Sequence, residues 1–402
     1  MEKDISFVIS ALCNQTEMKS DVPVVMHSIC GQRMLDYVLK AAMDITDSQP
    51  VILMGKEERQ VFEDAYQAVK ALTAENEDFN SPEMLDELAD IARDNEYIFV
   101  IPGNMPLVRE KTLRDMLQYT KDRHLDAAVL SGYTESFPDL PLHCQVVCYK
   151  AEGLLNALQA IKELTHNGVA GQVKFSEVLS RTGLKTGIFQ PEDLEELMMV
   201  NDRISLSDAE ARMRIRINEF HMRNGVTLID PCHTYIGPDV RIGRDSVVYP
   251  GNVLEGNTSI GSSCVLYPNN RINNAIIHDY VTIQSSVVLD SSIGEKTTVG
   301  PYAYIRPDSH IGSHVRIGDF VEVKKAVIGD GTKVSHLTYV GDAELGKNIN
   351  VGCGVVFSNY DGKRKYKIKV GDHAFIGCNT NLVAPVEVEH DSYIAAGSTI
   401  TE

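Results

Sequence analysis

The sequence lacks any apolar run long enough to cross a membrane. A spanning helix needs about 20 consecutive apolar residues, and no segment of the 402-residue chain approaches that length. The amino terminus, MEKDISFVIS, is acidic and has no apolar core of the kind found in signal peptides. We therefore expect a cytoplasmic protein with no membrane partner.

Positive charge is also scarce. The chain has 56 acidic against 38 basic residues and a formal net charge of -18. Such a surface repels nucleic acids and anionic membranes, so neither is expected as a partner. Small anions remain suitable ligands wherever basic residues cluster locally.

Paired metal-binding motifs are missing as well. The eight cysteines are scattered, and the CxxxC formed by Cys144 and Cys148 has no second pair or histidine cluster to complete a zinc site. This distribution indicates reduced thiols and no structural metal.

The first turn has no glycine. An apolar strand at residues 7–9 runs into a turn at residues 10–17, before a helix predicted to begin near Gly31. An α/β protein usually places a glycine-rich phosphate cradle there. The turn instead carries Cys13, Asn14, Gln15 and the acidic Glu17, and Cβ atoms hinder close approach of the backbone to a phosphate. The turn is therefore predicted to be a degenerate phosphate site.

What is present falls into two unlike halves. Over residues 1–202, short apolar runs alternate with helical patterns, which predicts an α/β domain with a mostly parallel sheet. The predicted strands are 6–10, 50–54, 97–101, 127–131 and 144–149, the predicted helices are 34–45 and 60–72, and the acidic stretch 75–95 is predicted to be surface helix and loop.

A connecting helix is predicted over residues 203–224. The stretch from Ser207 to Glu210 fits a capping box, in which serine and glutamate side chains satisfy free N–H groups at a helix start. Asn224 and Gly225 form a suitable stop.

From residue 225 onward, aliphatic residues recur every sixth position. Three registers carry this repeat: Ile236, Ile242, Val248, Leu254, Ile260, Leu266 and Ile272; then Ile293, Val299, Ile305, Ile311, Ile317 and Val323; then Ile376, Leu382, Val388, Ile394 and Ile400. A hexapeptide repeat predicts a parallel β-helix whose coils each use three hexapeptides. With ~4.8 Å between stacked strands, residues 226–402 would form about ten coils.

One segment interrupts the repeat. The stretch SNYDGKRKYKIK, residues 358–369, is predicted to protrude as a loop on a binding face. It concentrates five cations in an acidic chain, which indicates an anion site; they are Lys363, Arg364, Lys365, Lys367 and Lys369.

Three motifs resemble one known family. They are SHLTYVGDAELG at 335–346, SNYDGKRKYK at 358–367 and LVAPVEV at 382–388. They resemble the bacterial bifunctional N-acetylglucosamine-1-phosphate uridyltransferase / glucosamine-1-phosphate acetyltransferase family. The resemblance implies a nucleotidyltransferase-like, Rossmann-like domain at 1–202, the connecting helix at 203–224, and a left-handed β-helix at 225–402 that forms a homotrimer and uses acetyl-CoA.

The amino-terminal half departs from the family pattern LAAGxGTRMxSDxPKVxH. Both loop glycines are replaced, the arginine is Glu17 and the lysine is Val24. The metal-binding aspartate of the family falls at Asn104, and Asn201 matches a second metal ligand that stands alone. Because an amide is a poor Mg²⁺ ligand and Glu17 would repel a triphosphate, we expect uridyltransferase activity to be lost and Mg²⁺ not to be required.

The β-helix keeps the residues that the resemblance implies for acetyl transfer. His336 falls at the catalytic base. The family's remaining contacts fall on two groups: Arg306, Lys324, Tyr339, Asn350 and Lys365 for the sugar phosphate, and Cys353, Asn359, Tyr360, Cys378 and Ala396 for acetyl-CoA. Two of these positions depart from the family, because Cys378 replaces a serine and Cys353 replaces an alanine whose backbone contacts the cofactor. No catalytic metal is expected.

Three functions are compatible with these residues. The first is acetylation of glucosamine 1-phosphate by acetyl-CoA, giving N-acetylglucosamine 1-phosphate for UDP-N-acetylglucosamine and cell-wall synthesis. The second is a non-catalytic scaffold, favoured because the family's carboxy-terminal arm, which covers the cofactor, does not follow Glu402. The third is acetylation of another amino sugar. Joint retention of His336, Asn359 and Tyr360 favours an enzyme over a scaffold.

Overall fold

The computed structural model describes residues 4–12, 17–56, 58–66, 70–74, 82–134, 137–166 and 182–401. Contacts between residues divide the chain into two compact units, Met1–Ala211 and Arg212–Glu402. Cys13, Asn14 and Gln15, which carry much of the prediction for the first turn, lie outside the described residues.

The described part of the first unit contains a seven-stranded, mostly parallel sheet in the order β5-β4-β1-β6-β8-β7-β9. Its strands are β1 (Ile5–Ser10), β4 (Val51–Gly55), β5 (Lys70–Ala74), β6 (Tyr97–Pro102), β7 (Ala127–Thr134), β8 (Phe137–Lys150) and β9 (Thr186–Phe189), while β2 (Ser28–Ile29) and β3 (Gln32–Arg33) form a separate ribbon. Among the described strands of this sheet, only β8 runs antiparallel to its neighbours. The central strand β1 is almost entirely buried, as its continuous apolar run predicts.

Helices flank this sheet. They are α1 (Met34–Met43), α2 (Arg59–Ala65), α3 (Pro82–Arg93), α4 (Glu110–Asp122) and α5 (Ala151–His166), with 3₁₀ turns at Val24–Met26 and Leu194–Leu197. The predicted α/β class is confirmed. Among the described helices, none combines the length and apolar character that a bilayer span requires.

Two helix predictions in this unit are wrong in detail. The helix predicted over 60–72 ends at Ala65, and Lys70–Ala74 is a strand that pairs in parallel with β4. Hydrogen bonds to the neighbouring strand override local helix propensity there. The helix expected near Gly31 begins at Met34, because Cys30 and Gly31 form the positive-φ turn of the β2–β3 ribbon.

The helix α6 (Arg203–Arg223) spans the boundary between the two units. The capping box predicted at Ser207 is wrong, since Ser207 lies inside the helix. Asp202 caps the helix instead, its carboxylate accepting a hydrogen bond from the Ser205 N–H at 2.7 Å. Glu210 accepts from the Cys30 backbone N–H at 2.6 Å.

The second unit is a parallel β-helix with three faces of ten, ten and nine strands, which confirms the expected number of coils. A 3₁₀ turn at Pro231–His233 follows its first strand. The first face contains Thr227–Leu228, Val247–Val248, Val265–Leu266, Thr282–Ile283, Thr298–Val299, Arg316–Asp319, Lys333–His336, Asn350–Val351, Phe375–Ile376 and Tyr393–Ile394.

The second face contains Tyr235–Ile236, Val253–Glu255, Arg271–Asn273, Val287–Leu289, Tyr304–Ile305, Glu322–Lys324, Tyr339–Gly341, Val356–Ser358, Asn381–Val383 and Thr399–Ile400. The third contains Arg241–Ile242, Ser259–Ile260, Ile276–Ile277, Ser292–Ile293, His310–Ile311, Val327–Ile328, Ala343–Leu345, Ile368–Val370 and Val386–Val388. The aliphatic side chains of the repeat fill one continuous core, and Ile305, Ile317 and Val323 are fully buried in it. Residues at equal positions of neighbouring coils are therefore stacked, and this stacking positions the site.

Candidate active site on the β-helix

Three cations of the predicted phosphate site lie together, two at the second face and one in the loop that follows it. Arg306 directly follows the strand Tyr304–Ile305, and Lys324 ends the equivalent strand of the next coil; the Arg306 N–H donates to the Val323 carbonyl at 2.8 Å. Close contact with the Lys365 side chain is the main cause that lowers the pKa of Lys324, followed by partial burial and the charge of Lys365 and Arg306. Like charges held together in this way repel one another, so the cluster suits an anion that would neutralise them.

Acidic side chains balance part of this charge. Glu322 accepts a hydrogen bond from Arg306 at 2.8 Å, and this bond raises the pKa of the guanidinium. Asp342 lies close enough to Lys324 for its charge to favour the ammonium form. Sequence reasoning missed Glu322, although its position two residues before Lys324 on one strand was a signal that both side chains point outward.

Tyr339 and Asn359 adjoin the cation cluster. Asn359 is only 7% exposed, and its Nδ2 donates to Asp342 Oδ2 and, at 3.4 Å, to the Tyr339 hydroxyl. Tyr339 is also near enough to Arg306 to raise the pKa of that guanidinium. The structure thus places Asn359 with the residues predicted for the sugar phosphate, whereas the resemblance grouped it with acetyl-CoA.

The loop at 358–369 delivers Lys365 to this cluster. Asn350 pairs with Phe375, so the coil that contains the loop has 25 residues. The loop folds back through a backbone bridge between Tyr360 and Lys365. At the tip of the loop, Asp361 Oδ1 accepts hydrogen bonds from the backbone N–H groups of Lys363 and Arg364, at 2.7 and 2.6 Å. The protruding loop is as predicted.

Two of the five loop cations that were predicted to mark an anion site have acidic partners in the structure. Lys367 pairs with Glu344, and Lys369 lies 3.9 Å from Glu387. Alternation along the strand explains this, because Lys367 and Lys369 flank the inward Ile368 and lie beside the acidic residues of the third face. Lys365 is the cation of this loop that contacts Lys324.

His336 is paired with a carboxylate that sequence reasoning missed. Its Nδ1 lies 2.6 Å from Asp319 Oδ1, and this bond is the main cause that lowers the pKa of Asp319. The two residues occupy equal positions in neighbouring coils, 17 residues apart, so the coil length was a usable signal. With Asp319 accepting at Nδ1, the geometry leaves Nε2 to take a proton from a substrate.

His336 and three residues predicted for acetyl-CoA form a single stack, here called the turn column: His336, Cys353, Cys378 and Ala396. The strand registers on the first face align them, one in each of four successive coils. Their carbonyls accept hydrogen bonds from the next coil, with Gly354 N–H on His336 at 3.4 Å, Asn379 N–H on Cys353 at 2.8 Å and Gly397 N–H on Cys378 at 2.8 Å.

Glycine permits the close approach of these coils. A Cβ added to Gly352, next to Cys353, would lie 2.6 Å from the Cys378 backbone nitrogen. Cys353 is half-buried, while Cys378 and Ala396 are exposed. The turn column therefore presents backbone and small side chains along the direction of the helix axis, beginning at His336.

In the part of the chain that the structure describes, two predicted site residues have side chains that bond to neither group. Asn350 is half-buried on the first face, stacked against Phe375 of the next coil. Tyr360 is exposed in the loop, where its hydroxyl donates to the Gly362 carbonyl at 2.7 Å. Within the described residues, neither makes a side-chain hydrogen bond to the cation cluster or to the turn column.

Asn104 and Asn201, the two positions that match the family's metal ligands, are joined by a hydrogen bond. Asn104 is 1% exposed, and its Nδ2 donates to the Val200 carbonyl and to Asn201 Oδ1, both at 2.9 Å. Because a backbone carbonyl can only accept, the Val200 oxygen fixes the amide with its NH₂ group toward Asn201. An N–H donor that points from Asn104 toward Asn201 is not suited to binding a cation between these two residues.

Two other departures from the family pattern lie within the described residues. Val24, at the position of the family's lysine, is 1% exposed and packs in the core, while Glu17 is exposed. Over the described residues, no group of three or more His, Cys, Asp or Glu side chains could hold a metal ion.

Comparisons with known proteins agree with both the repeat and the motifs. Residues 290–325 match the family model described as bacterial transferase hexapeptide (six repeats). The chain is 40% identical over 422 residues to the bifunctional protein GlmU of Clostridioides difficile (strain 630), covering 98% of this chain and 92% of that protein. It is 42% identical over 429 residues to bifunctional protein GlmU of Clostridium novyi (strain NT), covering 99% and 93%. The chain therefore belongs to the bifunctional GlmU family, with a nucleotidyltransferase-like α/β unit followed by a left-handed β-helix of hexapeptide repeats.

Proposed function

We propose that this protein transfers the acetyl group of acetyl-CoA to the amine of glucosamine 1-phosphate. The product, N-acetylglucosamine 1-phosphate, would supply UDP-N-acetylglucosamine and peptidoglycan synthesis. One observation carries the proposal. A histidine oriented by Asp319 begins the column of predicted acetyl-CoA contacts, and a cluster of three cations lies on the adjacent face of the same coils.

The sugar phosphate binds at the cation cluster. Arg306, Lys324 and Lys365 donate charge-assisted hydrogen bonds to the phosphate, and Tyr339 adds a hydroxyl donor. Phosphate binding relieves the repulsion that lowers the pKa of Lys324. Asn359, held by Tyr339 and Asp342, and Asn350 then orient the sugar and its amine.

His336 acts as the general base. At neutral pH an amino sugar is largely an ammonium ion, which has no electron pair for attack, and imidazole is the side chain suited to proton exchange at that pH. The ammonium first loses one proton to the solvent, and Nε2 removes a second proton as the nitrogen attacks the acetyl carbonyl carbon. The carboxylate of Asp319 stabilises the resulting imidazolium and holds the ring in place.

The turn column positions the thioester. Backbone groups at Cys353, Cys378 and Ala396 line the path of acetyl-CoA, with Tyr360 beside it, and a backbone N–H receives the developing oxyanion. The tetrahedral intermediate collapses as the carbon–sulfur bond breaks, and CoA departs as a thiolate that accepts the proton held by His336. We infer that Mg²⁺ is not required, because the cations of the protein match the phosphate charge.

We infer that the protein acts as a homotrimer, as the family does. An exposed apolar strip supports this inference: Tyr302, Phe320 and Leu337 occupy equal positions in successive coils, next to Asp319 and His336. Tyr302 and Phe320 stack with ring centroids 5.5 Å apart. All three adopt positive φ, which is costly for bulky residues and is tolerated where the coil geometry imposes it.

We further propose that the α/β unit makes no UDP-N-acetylglucosamine. The Asn104–Val200 bond and the buried Val24 support this, since neither position offers a charge to metal or phosphate. Restoring a single charge, as in Glu17→Arg, should not recover activity, because the missing groups act as a unit.

The deciding experiment measures release of CoA thiol from acetyl-CoA with three acceptors in parallel. We expect turnover with glucosamine 1-phosphate and little with glucosamine 6-phosphate or UDP-glucosamine. Preference for another acceptor would move the assignment to a different amino sugar. No turnover with any amino sugar would refute the acetyltransferase and leave the scaffold.

A further inference from the structure

Two thiols are stacked in the turn column. Cys353 and Cys378 occupy equal positions of neighbouring coils, as shown by the pairing of Val351 with Ile376 two residues before each of them. The Asn379 N–H donates to the Cys353 carbonyl at 2.8 Å, so the two coils are in direct contact at this corner. Both cysteines are free thiols.

The other described cysteines lack such an arrangement. Cys148 and Cys264 are buried, and the Cys264 thiol donates to the His278 carbonyl at 3.1 Å. Cys30 contacts Glu210. Cys232 is exposed in the 3₁₀ turn at Pro231–His233, with no cysteine at the equal position of the next coil, which Pro250 occupies.

The spacing of the coils suits a disulfide. Stacked parallel strands lie ~4.8 Å apart, and Cα separations of ~4.4–6.8 Å are compatible with a disulfide bond. Cys378 is exposed and Cys353 is half-buried, so an external reagent reaches Cys378 first.

We propose that Cys353 and Cys378 form an exchangeable dithiol, a modification site for the disulfide of a small thiol. The Cys378 thiolate attacks one sulfur of the reagent R–S–S–R, forming a mixed disulfide and releasing one RS⁻. The Cys353 thiolate then attacks the Cys378 sulfur, forming the Cys353–Cys378 disulfide and releasing the second RS⁻. The two protein thiols are oxidised, the reagent is reduced to two thiols, and the two thiol protons pass to the solvent.

Oxidised CoA, the symmetric disulfide, is the reagent that this position favours. That choice rests on the proposed function, because the turn column is then the path of the CoA moiety. The dithiol chemistry itself needs only the stacking of the two cysteines. Once formed, the disulfide covers the backbone between the two coils and closes the path to the thioester, so acetyl transfer stops until a reductant restores both thiols.

The test treats the full-length protein in its native assembly with oxidised CoA and measures intact mass after denaturation, with and without reductant. Wild-type protein and the matched control Cys232→Ser should lose two hydrogen atoms per chain and release two CoA thiols. Peptide mapping should place the bond between residues 353 and 378. Cys353→Ser should stop at one CoA adduct on Cys378, and Cys378→Ser should not form the disulfide.

Any of three other outcomes would refute the proposed exchangeable dithiol. A stable CoA adduct on wild-type Cys378, identical products from wild type and Cys353→Ser, or reaction confined to Cys232 would all show that the two thiols do not exchange as a pair. The intact-mass measurement detects the disulfide whether or not the protein transfers acetyl groups. Disulfide formation in a protein that acetylates no amino sugar would therefore keep the dithiol and refute only the proposed function.

Discussion

Replacing Asp319 tests how the site activates its base. In Asp319→Asn the carboxylate that accepts from His336 Nδ1 at 2.6 Å becomes a neutral amide of the same shape. The amide stabilises an imidazolium less well, and it can also hold the ring in the wrong tautomer by donating to Nδ1. The expected effect is a fall in kcat with little change in KM for either substrate.

The structure sets the size of this effect. Removing the charge from a fully buried carboxylate–histidine pair lowers kcat by ~10⁴-fold in a serine protease. Here the side chains of His336 and Asp319 are 50% and 36% exposed, so water can replace part of the lost interaction. We therefore expect a loss on the order of 10- to 100-fold, smaller than for removal of the base itself.

The assay is CoA thiol release at saturating glucosamine 1-phosphate, measured from about pH 6 to about pH 9. The pKa of Asp319 is lowered mainly by its bond to His336, so the carboxylate stays ionised throughout and titration of Asp319 contributes no limb to the wild-type profile. Asp319→Glu should recover part of the rate, and Asp308→Asn, an exposed aspartate of the same unit, should match wild type. Wild-type kcat and pH profile in Asp319→Asn would refute an orienting role for Asp319.

Four further outcomes are expected. His336→Ala should lower kcat by ~10²–10⁴-fold with little change in KM for acetyl-CoA, measured by thiol release; unchanged turnover would exclude it as the base. Lys365→Ala should raise KM for glucosamine 1-phosphate, whereas Lys369→Ala, a lysine of the same loop paired with an acid of the third face, should not. The protein should release no pyrophosphate from UTP and N-acetylglucosamine 1-phosphate with Mg²⁺, and release that depends on both substrates would contradict this. Ile305→Ala should cost about 2–5 kcal/mol of unfolding free energy in denaturant titration, and Ile276→Ala, at an exposed position, far less.

The β-helix could be predicted from sequence because its physics is local and repeated. Each coil buries an aliphatic residue from every hexapeptide, so the spacing of these aliphatic residues identifies both the strand and the face that points inward. The α/β unit offers no such repetition. Lys70–Ala74 shows the consequence, since its strand depends on hydrogen bonds to β4 that no local pattern encodes.

The candidate site was only partly predictable for a related reason. Residues on one face of one strand could be grouped, but charge pairing across coils could not be read without the register. Glu344 and Glu387 neutralise two cations of the loop, which a count of basic residues could not reveal. Asp319 could have been identified from the sequence, because one coil length separates it from His336.

The two units diverged from their family in different ways, and packing explains the difference. In the α/β unit the positions that match the family's phosphate and metal ligands are not needed to hold the core together. Val24 can therefore pack in the core, and Asn104 can bond to the Val200 carbonyl, without disturbing β1. In the β-helix the predicted binding positions are the corners of the coils. A change such as Cys353 or Cys378 must keep the backbone path that closes each coil, so the column survives even where its side chains change. Because the backbone is the part of this column proposed to meet acetyl-CoA, substitution there leaves the proposed chemistry in place and adds the two thiols that can regulate it.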